Sequence, residues 1–228
     1  PNLTQNSQVA RNAASEGMVL LKNDNNALPF SSKNEMVSVF GVTSYDFITG
    51  GTGSGSVNNK HTVSLLEGLN NAGFKIDQEL ANLYVPFAEK EALAEKERRK
   101  SQGILALPQR LPEMEMTEDF INKQAENSAI AFLTLGRNSG EGGDRVVDND
   151  FNLGKDEIVL IDKVSKAFHG KGKKVVVILN IGGVIETASW KDKVDAILLA
   201  WQPGQEGGNS VADVLAGKVN PSGKLTMT

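Results

Sequence analysis

Four short, nearly unbroken apolar runs constrain this chain more than any other feature: 36–42 (MVSVFGV), 129–135 (AIAFLTL), 175–179 (VVVIL) and 196–201 (AILLAW). None alternates cleanly between apolar and polar residues. That is the pattern of strands covered on both faces, as in a parallel sheet packed between helices. A weaker fifth strand is expected at 74–77. Between the runs lie segments with helical spacing: 7–20 (Val9 with Ala13, Ala10 with Ala14 and Met18), 62–72 (Leu65, Leu66, Leu69) and 155–168 (Ile158, Ile161, Val164, Phe168). Another, 210–216, stops at Gly217, placed as a helix C′ glycine. Strands alternating with helices call for right-handed crossovers and a sheet between two helix layers. The fold class is therefore α/β, a three-layer α/β/α sandwich.

At 228 residues, 39% hydrophobic and 23% charged, the chain has the material for one sizeable core. Its net charge of -4 provides no broad basic footprint for nucleic acid or an anionic membrane. No apolar run approaches the roughly 20 residues of a membrane span. The chain has no cysteine, which excludes disulfide and thiolate chemistry, and its 2 histidines argue against a His-rich metal site. The first residue is Pro1, with no signal-like segment ahead of it, which does not read as a natural start. The charged stretch 89–100 (EKEALAEKERRK) reads as a solvated helix face. Residues 101–116, with Pro108 and Pro112 and no clear period, read as a long loop before a helix starting near Thr117. Such a loop can border a site.

Three glycine-rich segments follow strands: 50–56 (GGTGSGS), 139–145 (SGEGGDR) and 203–208 (PGQEGG). In an open parallel sheet all three gather at the carboxyl ends of the strands, where ligand crevices form; taken singly, each also reads as a tight turn that glycine permits. The phosphate-binding motifs fail. From Gly51, G-x-G-x-x-G needs a glycine where Ser56 stands, and from Gly50 a P-loop needs lysine there. Gly53-Ser54-Gly55 lacks the spacers of a hydrolase elbow, and neither His61 nor His169 has a triad context. His169, beside Gly170, reads as a cationic helix cap.

Glu141 is flanked by Gly140, Gly142 and Gly143, which would leave its carboxyl exposed at the crevice. Cleavage of a glycosidic bond needs such a carboxyl, first as an acid for the departing oxygen and then as a base for water. From spacing alone Glu141 reads equally as a capping or surface residue. Adjacent Asp144 and Arg145 read as an ion pair bracing the loop.

Five motifs now occur in order: ARNAASEGMVLLKN at 10–23 followed by Leu28-Pro29, GGTGSGSV at 50–57, SGEGGDR at 139–145, AWQPGQEGG at 200–208 and NPSGKL at 220–225. Together they resemble the C-terminal α/β sandwich domain of family 3 glycoside hydrolases, the β-glucosidase family, over residues 6–224. The resemblance implies a mostly parallel six-stranded sheet, in agreement with the strands read above. It further implies a retaining, exo-acting β-glycosidase whose preceding barrel supplies a nucleophilic aspartate, with Glu141 as the acid/base glutamate and Ser54 touching the sugar. Gly143 stands where relatives often carry an aromatic residue. The expected substrate is a β-linked glucoside or oligosaccharide, with no metal or organic cofactor, and relatives of this type are commonly periplasmic or secreted in bacteria.

On this reading residues 1–228 are one sandwich domain, with the N-terminal barrel outside this chain. Alone it is expected to fold, to hydrolyse no glycoside, and to present Ser54 and Glu141 on one common surface. Glu141 is expected to titrate like an ordinary glutamate, near about 4.3. The rival is a carbohydrate-binding or assembly domain without chemistry, in which the acidic loop survives only as a turn.

Overall fold

The computed structural model describes residues 2–57, 59, 61–103, 106–139, 141 and 143–226. Two-residue periodicity within the apolar runs builds both cores. On β5 (Lys174–Ile181), Val176 and Ile178 enter one core, and Val175, Val177 and Leu179 the other. β4 (Ile130–Arg137) divides likewise, with Phe132 on the first side and Leu133 and Leu135 on the second. Full burial of such a side chain contributes about 1.5–3 kcal/mol, so a strand covered on both faces is apolar throughout.

The six strands are ordered β1-β6-β5-β4-β2-β3, with β2 at Met36–Phe40, β3 at Lys75–Ile76 and β6 at Ala196–Leu199. All neighbouring pairs are parallel except β1 (Val19–Asn23), which runs antiparallel to β6 with Val19 opposite Leu199. Against one face pack α2 (Leu65–Asn71) and α6 (Gly207–Leu215), with α1 (Leu3–Gly17) lying on α6; against the other pack α3 (Gln78–Gln102), α4 (Glu118–Asn127) and α5 (Lys155–His169). The three-layer α/β/α sandwich expected from the alternation is the fold observed.

Side-chain caps set the helix starts. Ser64 accepts from the Glu67 amide at 3.1 Å, Asp77 from Leu80 at 3.2 Å and Thr117 from Phe120 at 3.2 Å. Thr117 thus begins α4 where the sequence placed a helix start. The 89–100 segment is the outer half of α3, and α6 closes at Gly217, where φ is +72°. One element differs from expectation. The helix read over 7–20 ends at Gly17, and Met18 turns to extended backbone at φ -66°, ψ 153° to enter β1. The run Met18-Val19-Leu20-Leu21 fits either period locally; pairing with β6 and burial of Met18 decide for strand.

Because β2, β4, β5 and β6 are mutually parallel, the loops after them emerge along one edge of the sheet. All three glycine-rich segments lie there. In the third, Gly208 serves helix packing: α6 crosses α2 so closely that a Cβ at Gly208 would overlap the Ser64 carbonyl, and one at Gly68 would overlap Gly208.

Candidate active site

Asn180, buried inside the last turn of β5, ties two of the edge loops together. Its Oδ1 accepts from the Ile48 amide at 2.7 Å, and its Nδ2 donates to the carbonyls of Ile48 at 2.9 Å and Trp201 at 2.8 Å. The loop after β2 is thereby joined to the loop after β6, and the Gly204 amide adds a bond to the Thr49 carbonyl at 2.8 Å. Trp201 has φ of +57°, a conformation costly for a bulky side chain. Asn180, a polar residue directly after the apolar run 175–179, is the signal that a side chain here has bonding to do. Sequence reasoning passed over it.

The turn at 52–54 meets the loop after β4. The Thr52 amide donates to the Ser139 carbonyl, and its hydroxyl to the Glu141 carbonyl, both at 2.9 Å. Above this join, Ser54 holds Glu141 twice: its hydroxyl donates to Oε1 and its amide to Oε2, the latter at 3.2 Å. The two residues named from sequence are thus brought into direct contact on the common edge. Gly140 and Gly142, read as exposing the carboxyl, lie outside the described residues; Glu141 itself is exposed. The Ser54 hydroxyl, and secondly its amide, hold the Glu141 carboxyl below the usual glutamate range. This corrects the expectation of ordinary titration, since exposure alone would leave the group unshifted but the two donors favour its charged form.

Behind that loop sits a cluster of charges. Arg137, the last residue of β4, makes a two-pronged pair with Glu157 in the first turn of α5, both contacts at 2.7 Å, with the side chains 2% and 1% exposed. Glu157 also accepts from the Gly154 amide at 2.7 Å, and Arg137 donates to the Asp150 carbonyl at 2.7 Å. Arg145 pairs with Asp150 at 2.7 Å and donates to the Val184 carbonyl. The expected Asp144–Arg145 brace is therefore corrected: Arg145 turns to Asp150, whose loop position lets one carboxylate accept from both Nε and Nη2.

The long loop before α4 crosses the same edge. Arg110 binds Asp156 through two contacts at 2.9 and 2.7 Å, and the Glu113 amide donates to the same carboxylate at 2.8 Å. Burial opposes charge on Asp156, but Arg110 and the Glu113 amide together hold its carboxyl below its ordinary range. Burial drives the Glu113 carboxyl the other way, up to about 8, although it accepts from the Val42 amide at 3.0 Å and Arg110 is near. Residues 107–110, 138–139, 143–146 and 148–150 line an open cleft of about 630 Å³ that includes Thr52, Gln109, Arg110, Asn138, Asp144 and Arg145. The loop thus lines a cleft that reaches Thr52 of the 52–54 turn.

The histidines are engaged elsewhere. His61 meets Glu67 at 2.9 Å, and His169, in the last turn of α5 where a cation was expected, meets Asp195 at 2.8 Å, a carboxylate anchored beside it by the Val175 amide. Among the described residues no group of three or more His, Cys, Asp or Glu side chains is spaced to hold a metal ion, and no helix is long and apolar enough to cross a membrane.

Known proteins share the fold and much of the sequence of this chain. Residues 18–228 match the glycosyl hydrolase family 3 C-terminal domain. Beta-glucosidase A of Butyrivibrio fibrisolvens is 36% identical over 241 residues, covering 95% of this chain and 28% of that protein. A beta-glucosidase of Ruminococcus albus is 33% identical, covering 93% of this chain and 22% of that protein. The solved structure of beta-glucosidase 3B from Thermotoga neapolitana in complex with α-D-glucose superposes with a TM-score of 0.90 at 44% identity, covering 99% of this chain and 31% of that one. The chain spans less than a third of the length of these relatives. By the extent of these matches and by its fold, the chain belongs to the C-terminal domain family of family 3 glycosyl hydrolases.

Proposed function

We propose that this domain contributes the general acid/base, Glu141, and a sugar contact, Ser54, to a retaining, exo-acting β-glycosidase of β-glucosidase type. The observation that carries the reading is an exposed carboxyl on the carboxyl edge of the sheet, fixed by two neutral donors of the neighbouring loop and, among the described residues, touched by no cation. The names of the relatives support a glucoside or β-linked oligosaccharide as substrate. In the first step Glu141 donates its proton to the departing glycosidic oxygen while a second carboxylate attacks the sugar. In the second step Glu141 takes a proton from water, which hydrolyses the glycosyl intermediate. Retention requires the two carboxyl groups about 5–5.5 Å apart, and the second is assigned to a barrel domain preceding this one. On that basis the 228-residue chain alone turns over no glycoside.

The test is made in the enzyme that carries this domain. Glu141→Ala is expected to slow cleavage of poor leaving groups by about 10²–10⁴, and activated aryl glycosides much less, with azide restoring turnover of the latter. Equal losses on both substrates with no azide recovery would leave Glu141 as a turn residue of a non-catalytic domain.

A further inference from the structure

Ser54 commits both of its donors to one carboxylate, hydroxyl to Oε1 and amide to Oε2. Gly53 forms the seat beneath. Its φ is +65°, and a Cβ there would lie 2.6 Å from Glu141 Cβ and 2.9 Å from Cδ, so the glutamate lies flat across the turn because the position has no side chain. Among the described residues no charged group takes part in the hold. The 50–56 turn carries none, Arg145 on the loop of Glu141 is bound by Asp150 and the Val184 carbonyl, Asp144 adds no shift, and Arg110 on the facing loop is bound by Asp156.

A carboxylate that accepts hydrogen bonds at both oxygens is stabilised in its ionised form. Its affinity for a proton is reduced, and it holds none to donate. The first step assigned above needs the opposite, so the contact that orders Glu141 also opposes its acid role. We propose that Ser54 is a positioning residue that holds Glu141 in its deprotonated form until a hydroxyl of the substrate takes over the serine hydroxyl, whereupon Glu141 takes up the proton that it delivers to the leaving group. This rests on the acid/base reading of Glu141. Protons balance through the cycle: one enters from solvent as the Ser54 hydroxyl is diverted and leaves on the departing alcohol. A second moves from the attacking water to Glu141 and returns to solvent when the Ser54 contact re-forms.

Two measurements test it. The first is a carboxyl-carbon NMR titration of Glu141 in this chain, comparing wild type with Ser54→Ala and Ser54→Thr. The midpoint is expected to rise to the ordinary glutamate range in Ser54→Ala and to stay low in Ser54→Thr, which keeps the hydroxyl and amide. An unchanged midpoint in Ser54→Ala overturns the hold. The second follows the pH dependence of hydrolysis of a substrate with a poor leaving group by the enzyme that carries this domain. The basic limb of kcat is expected at higher pH than that of kcat/KM, because the first reports the bound enzyme and the second the free one, and the gap is expected to close in Ser54→Ala. Coincident limbs in wild type, or a gap that survives in Ser54→Ala, overturns the coupling. Should Glu141→Gln retain full activity, the acid/base reading fails, while the titration still decides whether Ser54 controls this carboxyl.

Discussion

Two glutamates on either side of one loop show opposite ways of holding a negative charge. Glu157 is fully buried, gripped by the Arg137 guanidinium through two contacts at 2.7 Å and by the Gly154 amide. Glu141 is exposed and held by a serine hydroxyl and one amide. Burial with a cation freezes a charge, because losing either partner strands the other in a low-dielectric interior. Exposure with neutral donors leaves the charge adjustable, since solvent or a ligand hydroxyl can replace each donor at little cost. The rigid pair anchors the end of β4 and the start of α5, and the adjustable carboxylate rides on the loop between them. Rigidity behind and adjustability in front is the arrangement a positioned proton carrier needs.

The contrast would break first at the buried end. Glu157→Ala, or Arg137→Ala, is expected to cost about 3–5 kcal/mol, measured by urea unfolding, whereas the double replacement Arg137→Met, Glu157→Leu should recover much of that loss. A single variant costing less than 1 kcal/mol would mean that water reaches this pair.

Glu113 sharpens the comparison, being a buried carboxyl with no full cationic partner. Its carboxyl is raised in the fold to about 8, so the folded state holds a proton that the unfolded chain releases near pH 4.5. Stability is therefore expected to fall as pH rises through that window, by roughly 2–3 kcal/mol between pH 6 and 8.5. Glu113→Gln should flatten this slope. Asp156, held low, acts in the other direction and only in acid, losing its contribution as pH falls through its depressed range. Equal slopes in wild type and Glu113→Gln would show that the buried carboxyl is already ionised.

A neutral buried group should come next. Asn180→Leu leaves the Ile48 amide and carbonyl and the Trp201 carbonyl without their side-chain partner, for a loss of about 1–3 kcal/mol, with faster amide exchange expected at Ile48. At the exposed end, Ser54→Ala and Glu141→Gln should each change unfolding stability by less than about 1 kcal/mol. A larger loss at either would make the 52–54 join part of the scaffold.

How far the sequence could be read follows the same division between buried and exposed. The strands of the central sheet were legible because burial on two faces leaves a local imprint, an unbroken apolar run of about the right length. β1 was not, since Val19-Leu20-Leu21 becomes a strand only by pairing with β6, far along the chain. Glu141 and Ser54 stood out through glycine-rich loops and the family resemblance. That Ser54 grips Glu141, and so lowers its proton affinity, had no local signature, and neither did the turn of Arg145 away from Asp144 to Asp150. Arg137 ending one apolar run and Asn180 following another were visible as polar intrusions, but their partners were not.

By itself the sequence determined the α/β class, the alternation of buried strands with helices and the edge on which the glycine-rich loops gather. These follow from periodicity and from the directionality of parallel strands, both properties of short stretches of chain. Only the tertiary structure decided the antiparallel edge strand, the partners of the buried charges and the protonation preferences of Glu141 and Glu113. Each depends on a dielectric environment and on donors brought from distant segments, and these exist only once the layers have packed.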